Sequence, residues 1–198
     1  MVATSETVDL DFVHCIVTKH KTSIAEEDMK NVEEMILGYG QKLAAEKNIG
    51  GLEELIIQVR PLCTVVGKAK AAKLIRELVE LSLSIDQSPK EKISLVEKSI
   101  EWSNENRRIF LRRTLEARLI RLLNEQGKFM EAIKIAGPLE AELKKLEDRE
   151  LLMEVALEES KSFFSLKNFS KAKTSLILAK TSANGAYVST SMQVSVSF

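Results

Sequence analysis

The sequence predicts an all-α protein, a right-handed α-solenoid of about four tetratricopeptide-like helical hairpins. Three observations carry this. Leu, Ala, Glu, Lys and Ile dominate, while only three prolines and eight glycines interrupt the chain. Strand-like alternation is nearly absent before residue 186. The interruptions are periodic: Ile49, Pro89, Phe129 and Phe169, each at a break, fall 40 residues apart. A second set of breaks, centred near 67, 105, 147 and 184, lies between them at spacings of 38, 42 and 37. No single hairpin buries both faces of its helices, whereas stacked neighbours do, so a repeat of this length implies a stack.

The hairpins are expected at 24–47 with 51–66, 68–85 with 89–103, 107–126 with 130–146, and 148–165 with 169–183. Ser23 followed by Glu26 makes a capping box for the first helix. Pro61 is placed inside the second helix, where it should kink it, and Pro138 does the same in the third pair. Pro89 after Ser88 suits a first helical turn. "GKFMEAIKIA" and "KNFSKAKTSL" place Phe129 with Ala132, and Phe169 with Ala172, at equivalent positions. The small alanine lets two helices approach closely and the aromatic fills the gap at the turn. The period exceeds the ~34 residues of the standard tetratricopeptide unit. Residues 22–184 thus form the helical body, 1–21 a flexible or poorly ordered N-terminal segment, and 185–198 a C-terminal tail.

"EWSNENRRIFLRRTLEARLIRLL", residues 101 to 123, holds six arginines. On a helical wheel Arg107, Thr114, Arg118 and Arg121 fall within about 60° of one another. Apolar residues from Ile109 to Leu123 occupy most of the circumference, so this helix is enclosed by neighbours rather than free. Residues 140–159 carry eight acids against three bases, while 101–121 carry six bases against three acids. Adjacent layers of opposite charge are expected to pair and fix the stacking register. The competing reading is a groove whose Arg107, Arg118 and Arg121 clamp an acidic peptide terminus, as in a free-standing adaptor. Lys68, Lys70 and Lys73 in "KAKAAK" form a solvated rim or a contact for an acidic partner. Trp102 is assigned to packing at a helix end.

Lysine plus arginine equals aspartate plus glutamate at 29 each, so the chain lacks the basic excess of a phosphate-backbone binder. Aromatics are 5%. No apolar run reaches the ~18 residues of a membrane span, and "MVATSETVDLDF" has no secretory pattern. Cys15 and Cys63 fit no paired spacing, as in a reducing compartment. His14, Cys15 and His20 in "HCIVTKH" have no fourth ligand at a zinc-type spacing. With no histidine in the helical body, no phosphate loop ("GYG" at 38–40 is too short) and no G-x-S-x-G, no catalytic, cofactor or metal site is expected. Nucleic acid, membrane and small-molecule substrates are not expected as partners.

"RPLCTVVGKAKAAKLIRELVEL", "SIEWSNENRRIFLRRTLEARLIRLL" and "AELKKLEDRELLMEVALEESKSFFSLKNFSKAKTSLILAKTSANGAYV" are long and distinctive. They resemble the N-terminal half of the proteasome regulatory-particle lid subunit called non-ATPase subunit 6, or regulatory subunit 11, over about residues 24–188. The resemblance implies a non-catalytic arm that tethers the lid to the outer ring of the proteolytic core and touches the ATPase base, with other lid subunits as partners. It also implies residence in cytoplasm and nucleus. After Tyr187 the sequence reads "VSTSMQVSVSF", where the family continues with more repeats and a PCI domain. A short isoform, truncated product or fragment is expected, in which Leu176, Ile177 and Leu178 expose apolar surface.

Overall fold

A computed structural model describes residues 26–61, 68–85 and 89–184, and every regular element in them is a helix. Eight are present: α1 Glu26–Ala45, α2 Ile49–Val59, α3 Lys68–Ser84, α4 Pro89–Glu105, α5 Ile109–Glu125, α6 Phe129–Leu146, α7 Arg149–Ser165 and α8 Phe169–Asn184. The predicted all-α class therefore holds, and helix starts at Ile49, Pro89, Phe129 and Phe169 match the forty-residue spacing. None of the described helices is long and apolar enough to cross a membrane. Segments 1–21 and 185–198, Ser23, Cys63, His14, Cys15 and His20 lie outside the described residues.

The turns reveal a finer period than the hairpins. Lys47, Arg107, Gly127, Glu147 and Lys167 all have positive φ, between 52° and 72°, and are separated by multiples of twenty residues. Each closes its helix with a paired backbone motif. The residue after it donates back to the fifth residue before: Asn48 to Leu43 at 2.9 Å, Arg108 to Ser103 at 2.8 Å, Lys128 to Leu123 at 2.8 Å, Asp148 to Leu143 at 3.3 Å and Asn168 to Phe163 at 2.9 Å. These bonds satisfy carbonyls that a helix end otherwise leaves bare. The same following residue starts the next helix: Asn48 accepts from the Gly51 amide and Asp148 from the Leu151 amide. One residue in αL thus converts a helix C-cap into the next N-cap, and the repeat unit of the backbone is the single helix with its turn.

Two compact units divide the chain near Leu95. In the first, α1, α2 and α3 pack pairwise around Ile36, Leu52, Leu55, Ile75 and Leu78, all 2% exposed or less. "GYG" lies inside α1. A Cβ on Gly40 would stand 2.8 Å from Leu78 Cδ2 and 3.2 Å from Leu81 Cδ1, so Gly40 lets α3 approach α1 closely; beside Gly38 there is open space. In the second unit α5 meets α6 and α7, α6 meets α7, and α7 meets α8, which is the contact pattern of stacked hairpins. Its core includes Leu115, Ile120, Leu123, Leu139, Met153 and Ala156, with Ala132, Ala136 and Ala179 wholly enclosed. Ala132 and Ala172 are buried as their role requires, at 0% and 8% exposure, whereas Phe169 is 59% exposed and does not fill the gap at its turn.

Two further expectations change, at Pro61 and at the start of α5, and the placement of Pro138 holds. Pro61 lies beyond α2 rather than inside it. It has no amide hydrogen to offer Ile57, and the Ile57 carbonyl instead accepts from the Arg60 amide at 3.3 Å, which tightens and ends the helix. Pro138 does lie within α6; it and Gly137 are exposed, which leaves the carbonyl deprived of its donor on the solvent side. Ile109 and Phe110 are not enclosed: they open α5 at 49% and 79% exposure, before the helix enters the layer.

The glycines yield a paired prediction. Gly38→Ala is expected to raise stability by about 0.5–1 kcal/mol, because the residue is helical and unobstructed. Gly127→Ala, at φ 72°, is expected to lower it by about 1 kcal/mol. Urea midpoints of the two variants should therefore move in opposite directions.

Candidate functional site

Among the described residues, helix α5 presents an extended set of interlocked polar side chains. Leu111, Leu115, Leu119, Ile120, Leu122 and Leu123 hold it among its neighbours, which fixes Arg112, Arg113, Arg118 and Asn124 against α6 and α7. Arg112 donates to Glu116 one turn on at 2.9 Å and to Glu142 of α6 at 2.5 Å. Arg113 reaches the other Glu142 oxygen from Nε and Nη2 at 2.9 and 2.8 Å, and its guanidinium lies 5.5 Å from the centre of the Phe110 ring. Arg118 pairs with Glu154 of α7. Asn124 donates to the Glu158 carbonyl and carboxylate at 2.9 and 3.0 Å, and accepts from the Ser162 hydroxyl at 2.5 Å. The expected pairing of oppositely charged layers is therefore present, and it ties α5 to two different helices.

The electrostatics follow from who donates to whom. Hydrogen bonds from Arg112, and then from Arg113, hold the Glu142 carboxyl below its ordinary value against the opposing effect of burial. Burial pushes Glu116 up, with Arg112 partly offsetting it. Glu159 is also pushed up by burial, then by the nearby Glu140 carboxylate, while a 2.5 Å hydrogen bond from Ser175 of α8 opposes this. For Glu159 the sign is a net cost at neutral pH: stability is full below the ordinary glutamate range and falls as pH rises through the raised value. Glu159→Gln is expected to raise stability by on the order of 1 kcal/mol at neutral pH and by nothing at acid pH. Thermal unfolding at both pH values reads this difference.

The predicted contact residues fall on α3, on α5 and in the turn before α5. Lys68 opens α3; Lys70 and Lys73 are exposed on the same helix, and Lys73 stands 3.8 Å from Glu77. Arg107 lies in the α4–α5 turn at φ 52°, not on α5. The left-handed residue breaks the angular register, so a wheel drawn from Arg107 misplaces it relative to Arg118 and Arg121. Arg118 is engaged with Glu154, and the 60% exposed Arg121 pairs with Glu125 at 3.2 Å. Two of the three arginines expected in the stripe are thus engaged by carboxylates, and the third stands in the turn before the helix. Trp102 packs under the Arg108 guanidinium, 5.7 Å from its ring centre. Sequence reasoning missed Glu142 as the shared anion and Asn124 as a polar tie; the local charge excess flagged the helices but not the partners. Among the described residues no group of three His, Cys, Asp or Glu is placed to hold a metal ion.

An arrangement in which carboxylates and guanidinia bind one another across helices has braced layers as its physical product. The fold and this seam define a helical-hairpin repeat protein whose polar groups stabilise its own stacking. The sequence matches the family described as "26S proteasome regulatory subunit RPN6 N-terminal domain" over residues 3–126. The chain belongs to that family. It is 48% identical over 197 residues to "Probable 26S proteasome regulatory subunit rpn-6.2" of Caenorhabditis elegans, covering 96% of this chain and 47% of that one. The protein of the same name from Caenorhabditis briggsae is 46% identical over 195 residues, covering 97% and 47%. The "26S proteasome non-ATPase regulatory subunit 11 homolog" of Arabidopsis thaliana is 35% identical over 171 residues, covering 86% and 41%. The chain thus spans about half the length of the curated relatives it matches, and the family match begins inside the segment 1–21.

Proposed function

We propose that this chain is a non-catalytic structural component of the proteasome regulatory-particle lid. It tethers the lid to the outer ring of the proteolytic core and to the ATPase base, in ubiquitin-dependent degradation in cytoplasm and nucleus. The observation that carries this reading is the family match over residues 3–126, together with relatives named as regulatory subunits. The physical support is the braced stack: two arginines on one carboxylate and a second ion pair to the next layer suit a part that transmits force between bodies rather than one that closes over a substrate. The balance of 29 basic and 29 acidic residues supports protein partners over nucleic acid.

The test is comigration. A tagged chain, expressed at the level of the endogenous subunits, is expected to run with core and lid subunits on native gels and to be released by high salt. Migration only as free protein, in cells where the other subunits assemble normally, overturns the proposal. The structural reading is favoured over the peptide clamp because Arg118 and Arg121 already pair with Glu154 and Glu125.

A further inference from the structure

Helix α6 carries glutamates on two sides. Glu142 meets the arginines of α5, while Glu140 faces α7 and α8, where it lines an open groove of about 460 Å³ with Lys144, Glu159, Phe163 and Ser175. Glu159 is 8% exposed and Ser175 6%, and their side-chain oxygens stand 2.5 Å apart. Glu140 accepts from Lys144 at 2.6 Å and is hydrogen-bonded to Glu159. An ionised carboxylate only accepts hydrogen bonds, so two carboxyls bond to each other only with a proton between them. The row Lys144, Glu140, Glu159, Ser175 runs from α6 through α7 to α8.

The repeat shows that stacking does not require these groups. A shift of forty residues carries Glu140 onto Ile100, Glu159 onto Leu119 and Ser175 onto Ile135. Leu119 is buried at 4% exposure, and Ile100 and Ile135 are half-buried. Three positions that are apolar in one layer are thus two carboxyls and a hydroxyl in the next. Facing Glu159, α6 offers Glu140 and Lys144, and α8 offers Ser175 and Lys171, whose ammonium lies over the Phe163 ring, 5.4 Å from its centre. Toward α5 the charges of α7 are engaged: Glu154 by Arg118, and Glu158 by Asn124 and Lys161. Residues 185–198 contain no charged side chain. Among the described residues, then, one ammonium, that of Lys144, is bonded to this pair of carboxyls. Burial holds the Glu159 carboxyl above its ordinary value; the Ser175 hydrogen bond opposes this and Glu140 adds to it.

We propose that Glu140 and Glu159 share one proton and so form a pH-dependent lock between α6, α7 and α8. With the proton in place, the Glu159 O–H donates to the Glu140 carboxylate, Lys144 balances the remaining negative charge, and Ser175 ties the pair to α8. When pH rises, that O–H bond breaks, its electron pair stays on Glu159, and the proton passes to water in the groove. Two carboxylates then face each other beside one ammonium, and the junction loosens. The sign is the reverse of that at Glu142: the stabilisation is complete below the ordinary glutamate range and is lost as pH rises through the raised value. This inference concerns the isolated chain and does not rest on the proteasomal reading.

The experiment titrates the full chain, isotope-labelled at the glutamate carboxyl carbons, by NMR, with signals assigned by substitution. The pair is expected to titrate in two coupled steps, the upper one above the ordinary glutamate range. Glu159→Gln should remove the upper step. Glu140→Gln should leave a single Glu159 step whose proton is held about tenfold less tightly than in the wild type. Lys144→Met should move the upper step higher, because the balancing charge is gone. Amide exchange along α8, corrected for the intrinsic effect of pH, should show about tenfold lower protection above the upper step than below it. Glu159→Gln should abolish that change. A titration in which every glutamate ionises in the ordinary range overturns the proposal. So does an upper step that Glu140→Gln leaves in place, which makes burial the whole cause. Protection of α8 that does not follow the step overturns it as well, because the proton then has no part in the junction. Where a variant fails to fold, the titration and exchange of the wild type decide the matter.

Discussion

Ile120→Ala is expected to destabilise the protein by about 2–5 kcal/mol, read as a drop in urea midpoint followed by circular dichroism. Ile120 is 0% exposed on α5, the helix that packs against both α6 and α7. The loss has two parts: the transfer energy of the deleted methyl and methylene groups, and the empty volume that neighbours on two sides fail to fill. Ile120→Val, which keeps the branched shape, should cost about 0.5–1.5 kcal/mol. A cost below about 1 kcal/mol for alanine would mean that the layer collapses into the gap, in conflict with a helix braced by ion pairs on either side of this position.

How much of this was legible in the sequence depends on how local each cause is. Helix starts, expected at 51, 89, 130 and 169 and found at Ile49, Pro89, Phe129 and Phe169, were readable to within two residues because caps, prolines and apolar spacing act within a turn or two. The alanines at 132 and 172 were readable because they repeat. The left-handed positions were not, except at Gly127: Lys47, Arg107, Glu147 and Lys167 are side chains with no preference for that conformation, held there by the paired helix-end hydrogen bonds. Misreading Arg107 as helical then misplaced the proposed arginine stripe. The need for glycine at position 40 was not readable either, because Leu78, whose side chain crowds it, lies 38 residues on. For the charged seam, composition identified which layers would attract one another. Which carboxylate meets which guanidinium depends on the rotation and rise of one helix against the next, and no count of charges contains that.

Glu142→Ala tests that seam most severely, with an expected cost of about 2–3 kcal/mol at neutral pH. Two guanidinia converge on this one carboxylate, and Arg113 keeps only 10% of its side chain exposed. Removing the anion leaves Arg113 charged, buried and short of acceptors, a change that costs about 3–5 kcal/mol where the pair is fully buried. Glu142 retains 33% exposure, so water recovers part of that and the expectation sits lower. Glu142→Gln, which keeps an acceptor oxygen but no charge, should lose roughly half as much. Arg121→Ala, at an exposed pair, should stay within about 0.5 kcal/mol. The pH dependence supplies a second, independent reading. Because the arginines hold the Glu142 carboxyl below its ordinary value, its contribution is complete above the ordinary glutamate range and disappears as pH falls through the lowered one. The gap between wild type and Glu142→Ala should therefore close in acid. A gap that persists unchanged at the lowest pH at which the protein remains folded would show that Glu142 acts by packing alone, and the layers would then owe their register to leucines and alanines rather than to charge.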